Sequence, residues 1–179
     1  MGEAILFGRG IPVLYDPKFA NNSWEKIIAY CQRGTVPEEW KVGDQKAMTI
    51  NGTDYLIDII GRDHDDYADG SGKAPLTFQM HDCYATRYAM NSSDTNVGGW
   101  TNCLMRSTHL PSILALMPSE VQSGIREVTK LTSAGNTMTH IVTTADKLFL
   151  LSAKEVWGSA VHKTSSSSDE GEQYAYYAE

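Results

Sequence analysis

The dipeptide Asn51-Gly52 constrains the fold of this chain more than any other feature, because it separates two stretches of alternating residues. Both central positions of a type I′ turn need positive φ, which asparagine and glycine tolerate best. The sequence therefore predicts a β-hairpin with strands over 46–50 and 53–60. Alternation predicts that the second strand has two faces: Tyr55, Ile57 and Ile59 on one, and Asp54, Leu56 and Asp58 on the other.

A helix is predicted before this hairpin. Asn22 and Glu25 have the spacing of a capping box, and Gly34 provides a C-terminal stop. Between them, Trp24, Ile27, Ile28 and Cys31 follow the i, i+3, i+4, i+7 spacing of one apolar helical face.

The second half of the chain carries weaker signals. A strand is predicted over 76–80, followed by an irregular packed region between Tyr84 and Met105. Two helical turns are predicted over 111–117 and 119–128, with Ser119 and Gln122 at capping-box spacing. Lys147 to Leu151 is predicted as a buried strand. Ser152 and Glu155 then cap a short helix that ends at Gly158.

These elements predict a mixed α+β domain at residues 21–163, in which the hairpin and the strand over 147–151 share a sheet. Residues 164–179 form a Ser-rich linker and a Tyr-rich tail, whose tyrosines at 174, 176 and 177 are not expected to lie free in solvent. Residues 1–20 are interpreted as an N-terminal arm, broken by glycine and proline.

The arm carries too many apolar residues to stay in water, so we expect it to pack on other chains, as in a homo-oligomer. An edge strand of its own domain is the alternative. The expected interface residues are Ile5, Leu6, Phe7, Ile11, Val13 and Leu14.

Composition excludes several classes of partner. The formal charge of -7, without any basic cluster, argues against nucleic acids and anionic lipids. No apolar run, that of residues 148–151 included, approaches the roughly 18 residues that span a bilayer. The N-terminus does not resemble a signal peptide, which would fit assembly inside a host cell. Three widely spaced cysteines are expected to be buried free thiols.

One candidate metal site is the acidic loop, where calcium would find several carboxylate oxygens. The loop lacks the spacing of an EF-hand, and a solvated turn is the alternative interpretation. The candidate ligands are Asp63, Asp65, Asp66 and Asp69.

Ligand binding is expected on polar, glycine-containing loops, since loops on rigid scaffolds carry binding residues. The loops over 63–72 and 91–100 fit this description, and an aromatic ring there can stack on a sugar. Trp100 is alternatively a core residue, as are the other three tryptophans. The candidate ligand-binding residues are Tyr67, Asn91, Ser93, Asn96 and Trp100.

No catalytic or phosphate-binding motif is present in the sequence. The run His81-Asp82-Cys83 cannot provide a catalytic dyad, because adjacent side chains on a strand point to opposite faces.

Several motifs together resemble an uncharacterised domain family of Firmicutes phages and gut bacterial surface proteins. They comprise residues 22–27, 40–44, 91–100, 105–106, 110–111, 128–130, 132–136, 146–152 and 155–158. The resemblance implies a C-type-lectin-like fold of the formylglycine-generating-enzyme type. Chains of that family continue beyond a motif like Tyr176-Tyr177 into a Trp- and Gly-rich half, whereas this sequence stops at Glu179. The lectin-like domain is therefore expected to be incomplete or completed by another subunit.

The resemblance implies a non-enzymatic phage virion protein, a tail, fibre or head-decoration component that takes part in host recognition. Its expected partners are other virion proteins and a host surface glycan or protein. The alternative is a bacterial cell-surface carbohydrate- or protein-binding module. An enzyme of the formylglycine-generating type is a third possibility, but it requires paired reactive cysteines that Cys83 and Cys103 do not match.

Overall fold

A computed structural model describes residues 14–135, 140–158 and 169–178. It contains helices and antiparallel sheets, which confirms the α+β class. A 3-10 turn, Phe19–Asn21, precedes the first helix, and a π-helix, Met105–His109, leads directly into the third. The remaining helices and strands are α1 Trp24–Arg33, β1 Gln45–Ile50, β2 Thr53–Gly61, β3 Thr77–Met80, α2 Gly99–Asn102, α3 Leu110–Leu114, α4 Ser119–Gly124, β4 Val128–Ser133, β5 Ile141–Asp146 and α5 Ala153–Trp157.

The predicted hairpin is confirmed. β1 pairs antiparallel with β2, and Ile50 faces Thr53 across the turn. Asn51 and Gly52 have φ of 49° and 78°, as a type I′ turn requires. β3, the predicted strand near residues 76–80, adds to the other edge of β2 in antiparallel orientation.

Of the two faces predicted for β2, both are buried in the second half of the strand. Ile57 and Ile59 are buried, but Asp58 and Ile60 on the opposite face are buried as well. Asp58 is covered because Gln45, His81 and Tyr176 all contact its carboxylate. The strand therefore lies between two layers from Ile57 onward.

Helix α1 ends where the sequence predicts but begins from a different N-cap. Ser23, not Asn22, is the N-cap and accepts a hydrogen bond from the backbone N–H of Lys26. Asn22 is buried and holds the preceding turn, accepting from the N–H of Asp16 and donating to its carbonyl. Gly34 ends the helix with φ of 65°.

The core lies between α1 and the three-stranded sheet. One cluster joins buried side chains from the chain around α1 to the sheet: Phe19, Ile27, Tyr30, Trp40, Ile59 and Leu76. A second joins the hairpin to α4: Met48, Ile50, Ile57 and Val121. α4 approaches α1 so closely that a Cβ on Gly124 would lie 2.6 Å from Cγ2 of Ile28.

The prediction of a strand over 147–151 is wrong. The second sheet consists of β4 and β5, paired antiparallel from Val128↔Asp146 to Ser133↔Ile141. The β-branched run at 141–144 suits a pleated strand better than the leucine-rich run after it. Residues 147–151 form an irregular segment in which Leu150 is 48% exposed. The hairpin sheet and this strand pair are thus two sheets, not one.

The predicted helix caps of α4 and α5 differ in outcome. The Ser152–Glu155 capping box is confirmed at α5, which ends at Gly158. At α4 the N-cap is Pro118, so the predicted cap at Ser119 is wrong.

The tryptophans, which the sequence offers as core residues, differ in burial. Trp40 is fully buried, as expected of a core residue, but Trp157 is 63% exposed.

The C-terminal segment 169–178 packs on β2. The backbone N–H of Tyr176 donates to the carbonyl of Ile60, and the Tyr177 hydroxyl donates to Gln79. Tyr174 is fully buried. The expectation that these tyrosines do not lie free in solvent is confirmed.

The N-terminal arm is described only in part. Of its expected interface residues, Leu14 is exposed, whereas Ile5, Leu6, Phe7, Ile11 and Val13 lie outside the described residues. The Ser-rich linker also lies outside them. Among the helices in the described ranges, none has the length and apolarity needed to cross a membrane.

Candidate functional site

A cleft of about 520 Å³ lies between the segment 90–103, strand β4 and the irregular segment 149–152. It brings together three of the predicted ligand-binding residues, Asn91, Asn96 and Trp100. Leu131 and Leu150 also line it and are both partly exposed. The fourth candidate on the same loop, Ser93, does not line the cleft.

Two glycines fix one end of the cleft. Gly99 and Gly135 have φ of 53° and 76°, and their backbones cross in close contact. A Cβ on Gly135 would lie 2.1 Å from the carbonyl oxygen of Asn96, and one on Gly99 would lie 2.4 Å from that of Ser133. Only glycine meets both the positive φ and the close approach. The loop that bears Asn96 is therefore tied to the end of β4.

Trp100 is positioned by a carboxylate on β5. Its indole N–H donates to Asp146 Oδ2 at 2.9 Å, and Thr144 donates to the same oxygen at 2.6 Å. Arg106 on the π-helix pairs with Asp146 Oδ1 at 2.6 Å. Asp146 is nearly buried, so these charge-assisted bonds hold α2 and the π-helix against the second sheet. Trp100 therefore lines the cleft and also holds α2 against the second sheet.

The floor of the cleft holds a buried charged cluster that includes Lys130 and Glu155. The Lys130 ammonium bonds to Glu155 Oε1, to Asp65 Oδ1 at 3.1 Å and to the Tyr174 hydroxyl at 3.0 Å. The side chains of Lys130, Asp65 and Glu155 are only 4–5% exposed. Four distant segments of the chain therefore meet at one ammonium group.

Hydroxyl groups complete this cluster around Asp65. Tyr174 donates to Asp65 Oδ1 at 2.8 Å and contacts Oδ2 at 2.9 Å, and Thr77 donates to Oδ2 at 2.6 Å. Burial, followed by the charges of Asp65 and Glu155, raises the pKa of Tyr174, so its hydroxyl stays protonated. Glu155 uses its other oxygen to accept from the Ser152 N–H in the capping box.

Most of the acidic loop is an exposed turn, the alternative to a calcium site, because Asp63, Asp66 and Asp69 are all exposed. Asp65 is buried beside Lys130, whereas Asp66 pairs with Lys73 and Asp69 with Arg126. Asp63 lies at a positive φ of 49° in the turn. Within the ranges that the structure describes, no group of three or more His, Cys, Asp or Glu side chains is arranged to hold a metal.

Tyr67 lies apart from the cleft. The Arg126 guanidinium sits 3.7 Å from its ring centre, and Asp69 and Ser71 hold that guanidinium in place. One face of the Tyr67 ring is thus already occupied. Stacking on a sugar, the role expected for Tyr67, would need the other face or displacement of Arg126.

A second polar network surrounds Asp58. His81 Nδ1 lies 2.8 Å from Asp58 Oδ2, Gln45 donates to Oδ1 at 2.9 Å and Tyr176 donates to Oδ2 at 3.0 Å. The hydrogen bond with Asp58, followed by its charge, raises the pKa of His81. His81 therefore pairs with a residue on β2, which sequence adjacency did not indicate.

The three cysteines are free thiols, as predicted, but they are not all buried. Cys103 is buried and its thiol donates to the Trp100 carbonyl at 3.2 Å. Cys31 is half-buried, and burial raises its pKa to about 12. Cys83 is exposed, which contradicts the prediction.

Residues 76–179, more than half of the chain, match the protein family described as a domain of unknown function, DUF6273. The chain belongs to the DUF6273 family. No curated protein and no solved structure matches it.

The DUF6273 match contains every residue that lines the cleft, including Lys130 and Glu155, and it also contains Tyr174. Asp65 lies before the matched region. Sequence reasoning found Glu155 as a cap but missed the cluster, because its members are far apart in sequence and only tertiary packing joins them. The sequence offers one signal for the cluster: Lys130 is a charged residue inside a strand that also contains Val128, Thr129 and Thr132, and a lysine is rarely buried unless it is paired.

Proposed function

We propose that this DUF6273 chain is a non-enzymatic recognition protein of a bacteriophage virion, with a C-type-lectin-like fold, and that its cleft binds a host surface glycan. The observation that carries the proposal is the convergence of Asn91, Asn96 and Trp100 in one cleft. Amide groups can bond to sugar hydroxyls, and apolar surfaces can pack on the C–H faces of a sugar ring.

The partly exposed leucines support a ligand at this place. Leu131 and Leu150 are 40% and 48% exposed and both line the cleft. A ligand in contact with them would remove apolar surface from water, which favours binding. The rim beside them carries the exposed polar residues Thr95 and Asn96. An amphipathic ligand such as an oligosaccharide fits this combination.

The reactive groups of the site are engaged by other groups of the chain, which supports binding of a ligand rather than catalysis on that ligand. An ammonium has three N–H donors, and those of Lys130 match three partners in the cluster. The Cys103 thiol donates within its own turn. These groups therefore hold the site in shape.

The virion assignment rests on the sequence resemblance to phage proteins and on the apolar residues of the N-terminal arm. Mass spectrometry of purified phage particles that encode this chain tests it. We expect the chain in intact particles, at a level comparable to known structural proteins. Absence from particles would contradict the proposal, and presence on the bacterial surface instead would favour the cell-surface alternative.

A further inference from the structure

The Lys130 cluster places a buried ammonium group in direct contact with a buried carboxylate. Its ammonium lies 3.1 Å from Asp65 Oδ1, so the nitrogen is close to the carboxyl carbon of a residue far away in sequence. Both side chains are 4–5% exposed. Burying opposite charges is costly unless they are well paired, and a covalent amide would remove both charges.

The two oxygens of Asp65 have different surroundings. Both oxygens lie near the Tyr174 hydroxyl, at 2.8 Å and 2.9 Å, but Oδ1 faces Lys130, whereas Oδ2 accepts from the Thr77 hydroxyl at 2.6 Å. Hydrogen-bond donors fixed around a carboxyl oxygen stabilise the negative charge that develops there when a nucleophile attacks. Oδ2 is thus the oxygen placed to carry that charge, and Oδ1 is the one placed to leave.

A second carboxylate contacts the same ammonium group. Glu155 Oε1 contacts the Lys130 ammonium directly, and the capping box fixes the other oxygen on the Ser152 N–H. The Phe149 ring lies 4.1 Å from Lys130 Nζ and covers it on another side. Because the Lys130 and Asp65 side chains are only 4–5% exposed, water has little access to the reacting atoms, which disfavours hydrolysis.

We propose that Lys130 and Asp65 form an intramolecular isopeptide bond, with Glu155 as the proton carrier. Lys130 Nζ gives a proton to Glu155, and its lone pair attacks Cγ of Asp65. The Nζ–Cγ bond forms, the Cγ–Oδ1 bond breaks, and Oδ1 leaves as water with two protons that came from the ammonium. Glu155 returns to its starting state, and no oxidant or further reactant is needed. The bond would join β4 to the loop after β2, independently of the proposed function.

Intact-protein mass spectrometry of the full chain tests this inference. We expect the folded protein, after incubation at neutral pH, to weigh one water molecule less than its sequence. Tandem mass spectrometry of a protease digest should identify a branched peptide that joins Lys130 to Asp65. A folded wild-type protein at its full sequence mass would overturn the proposal.

Variants distinguish formation of the isopeptide bond from other reactions in which the chain loses water. Lys130→Met removes the nucleophile and should restore the full mass, whereas the matched control Lys73→Met should still lose one water. Asp69-Gly70 can lose water by forming a backbone succinimide, but that loss would persist in Lys130→Met. Persistence of the loss in that variant, or a branch from Lys130 to Glu155, would overturn the assignment.

Glu155→Gln tests the proton carrier while leaving both bonding partners in place. We expect it to remain at full mass after the incubation that converts the wild type. Bond formation at the wild-type rate in this variant would overturn the role given to Glu155.

Discussion

Gly99 and Gly135 are packed backbone against backbone, so that a Cβ on Gly135 would lie 2.4 Å from the Gly99 nitrogen. This contact joins the loop that carries Asn96 to the end of β4. Two segments that are distant in sequence thereby form one rigid end of the cleft. The contact leaves no space for a Cβ at either position, and both have positive φ.

Gly135→Ala should destabilise the protein more than Gly70→Ala. Gly70 also has a positive φ, of 73°, but a Cβ added there would have no neighbour within 4 Å, so alanine meets only backbone strain of about 1–2 kcal/mol. At Gly135 the steric overlap adds a further cost of about 1–3 kcal/mol. Urea denaturation of the two variants measures this difference. Equal free energies of unfolding would contradict the close crossing.

Asp146→Asn should weaken the wall that holds Trp100. The substitution removes the charge that pairs with Arg106 and leaves a partly buried guanidinium without its counter-ion. We expect a loss of about 1.5–3 kcal/mol, as for hydrogen bonds to charged groups. Asp54→Asn, at an exposed carboxylate that accepts from Thr49, is the matched control and should change stability little. Denaturation curves give both values, and equal losses would argue against the Asp146 network.

The pairing of His81 with Asp58 predicts a pH dependence of stability. The folded-state pKa of His81 lies above the ordinary value of 6.5. A histidine with a raised pKa stabilises the fold fully below its unfolded pKa, and this contribution is lost as the pH rises through the folded pKa. His81→Gln should therefore flatten the change in melting temperature between about pH 6 and about pH 8. A profile identical to that of the wild type would show that the pair contributes nothing.

Local signals were sufficient to predict the parts of the fold that depend on local geometry. Asn51-Gly52 predicted the hairpin, Gly34 the end of α1, and Ser152 with Glu155 the capping box of α5. Each depends on dihedral preferences or hydrogen bonds within a few residues. The loop bearing Asn91, Asn96 and Trp100 was also identified, because its polarity and glycines mark an irregular surface segment.

Tertiary packing decided what the sequence could not predict. The leucine-rich run 147–151 has the composition of a buried strand, but it lines the cleft while β5 forms just before it. Asp65 resembles its acidic neighbours in sequence, yet Lys130 and Tyr174 bury it. Tyr67 resembles a stacking platform, but Arg126 covers one face. Each outcome depends on a partner that is far away along the chain.

Glycan-array binding tests the central claim most directly, namely that the cleft between the segment 90–103 and β4 binds a sugar. The test variant combines Asn96→Ala and Leu150→Ser, since both residues line the cleft and are exposed. The control combines Ser93→Ala and Leu116→Ser, which make the same kinds of change outside it. We expect the wild type and the control to bind the same glycans, and the test variant to bind at least about tenfold more weakly, which corresponds to about 1.4 kcal/mol. Equal binding by the test variant and the control would contradict the cleft as the recognition site.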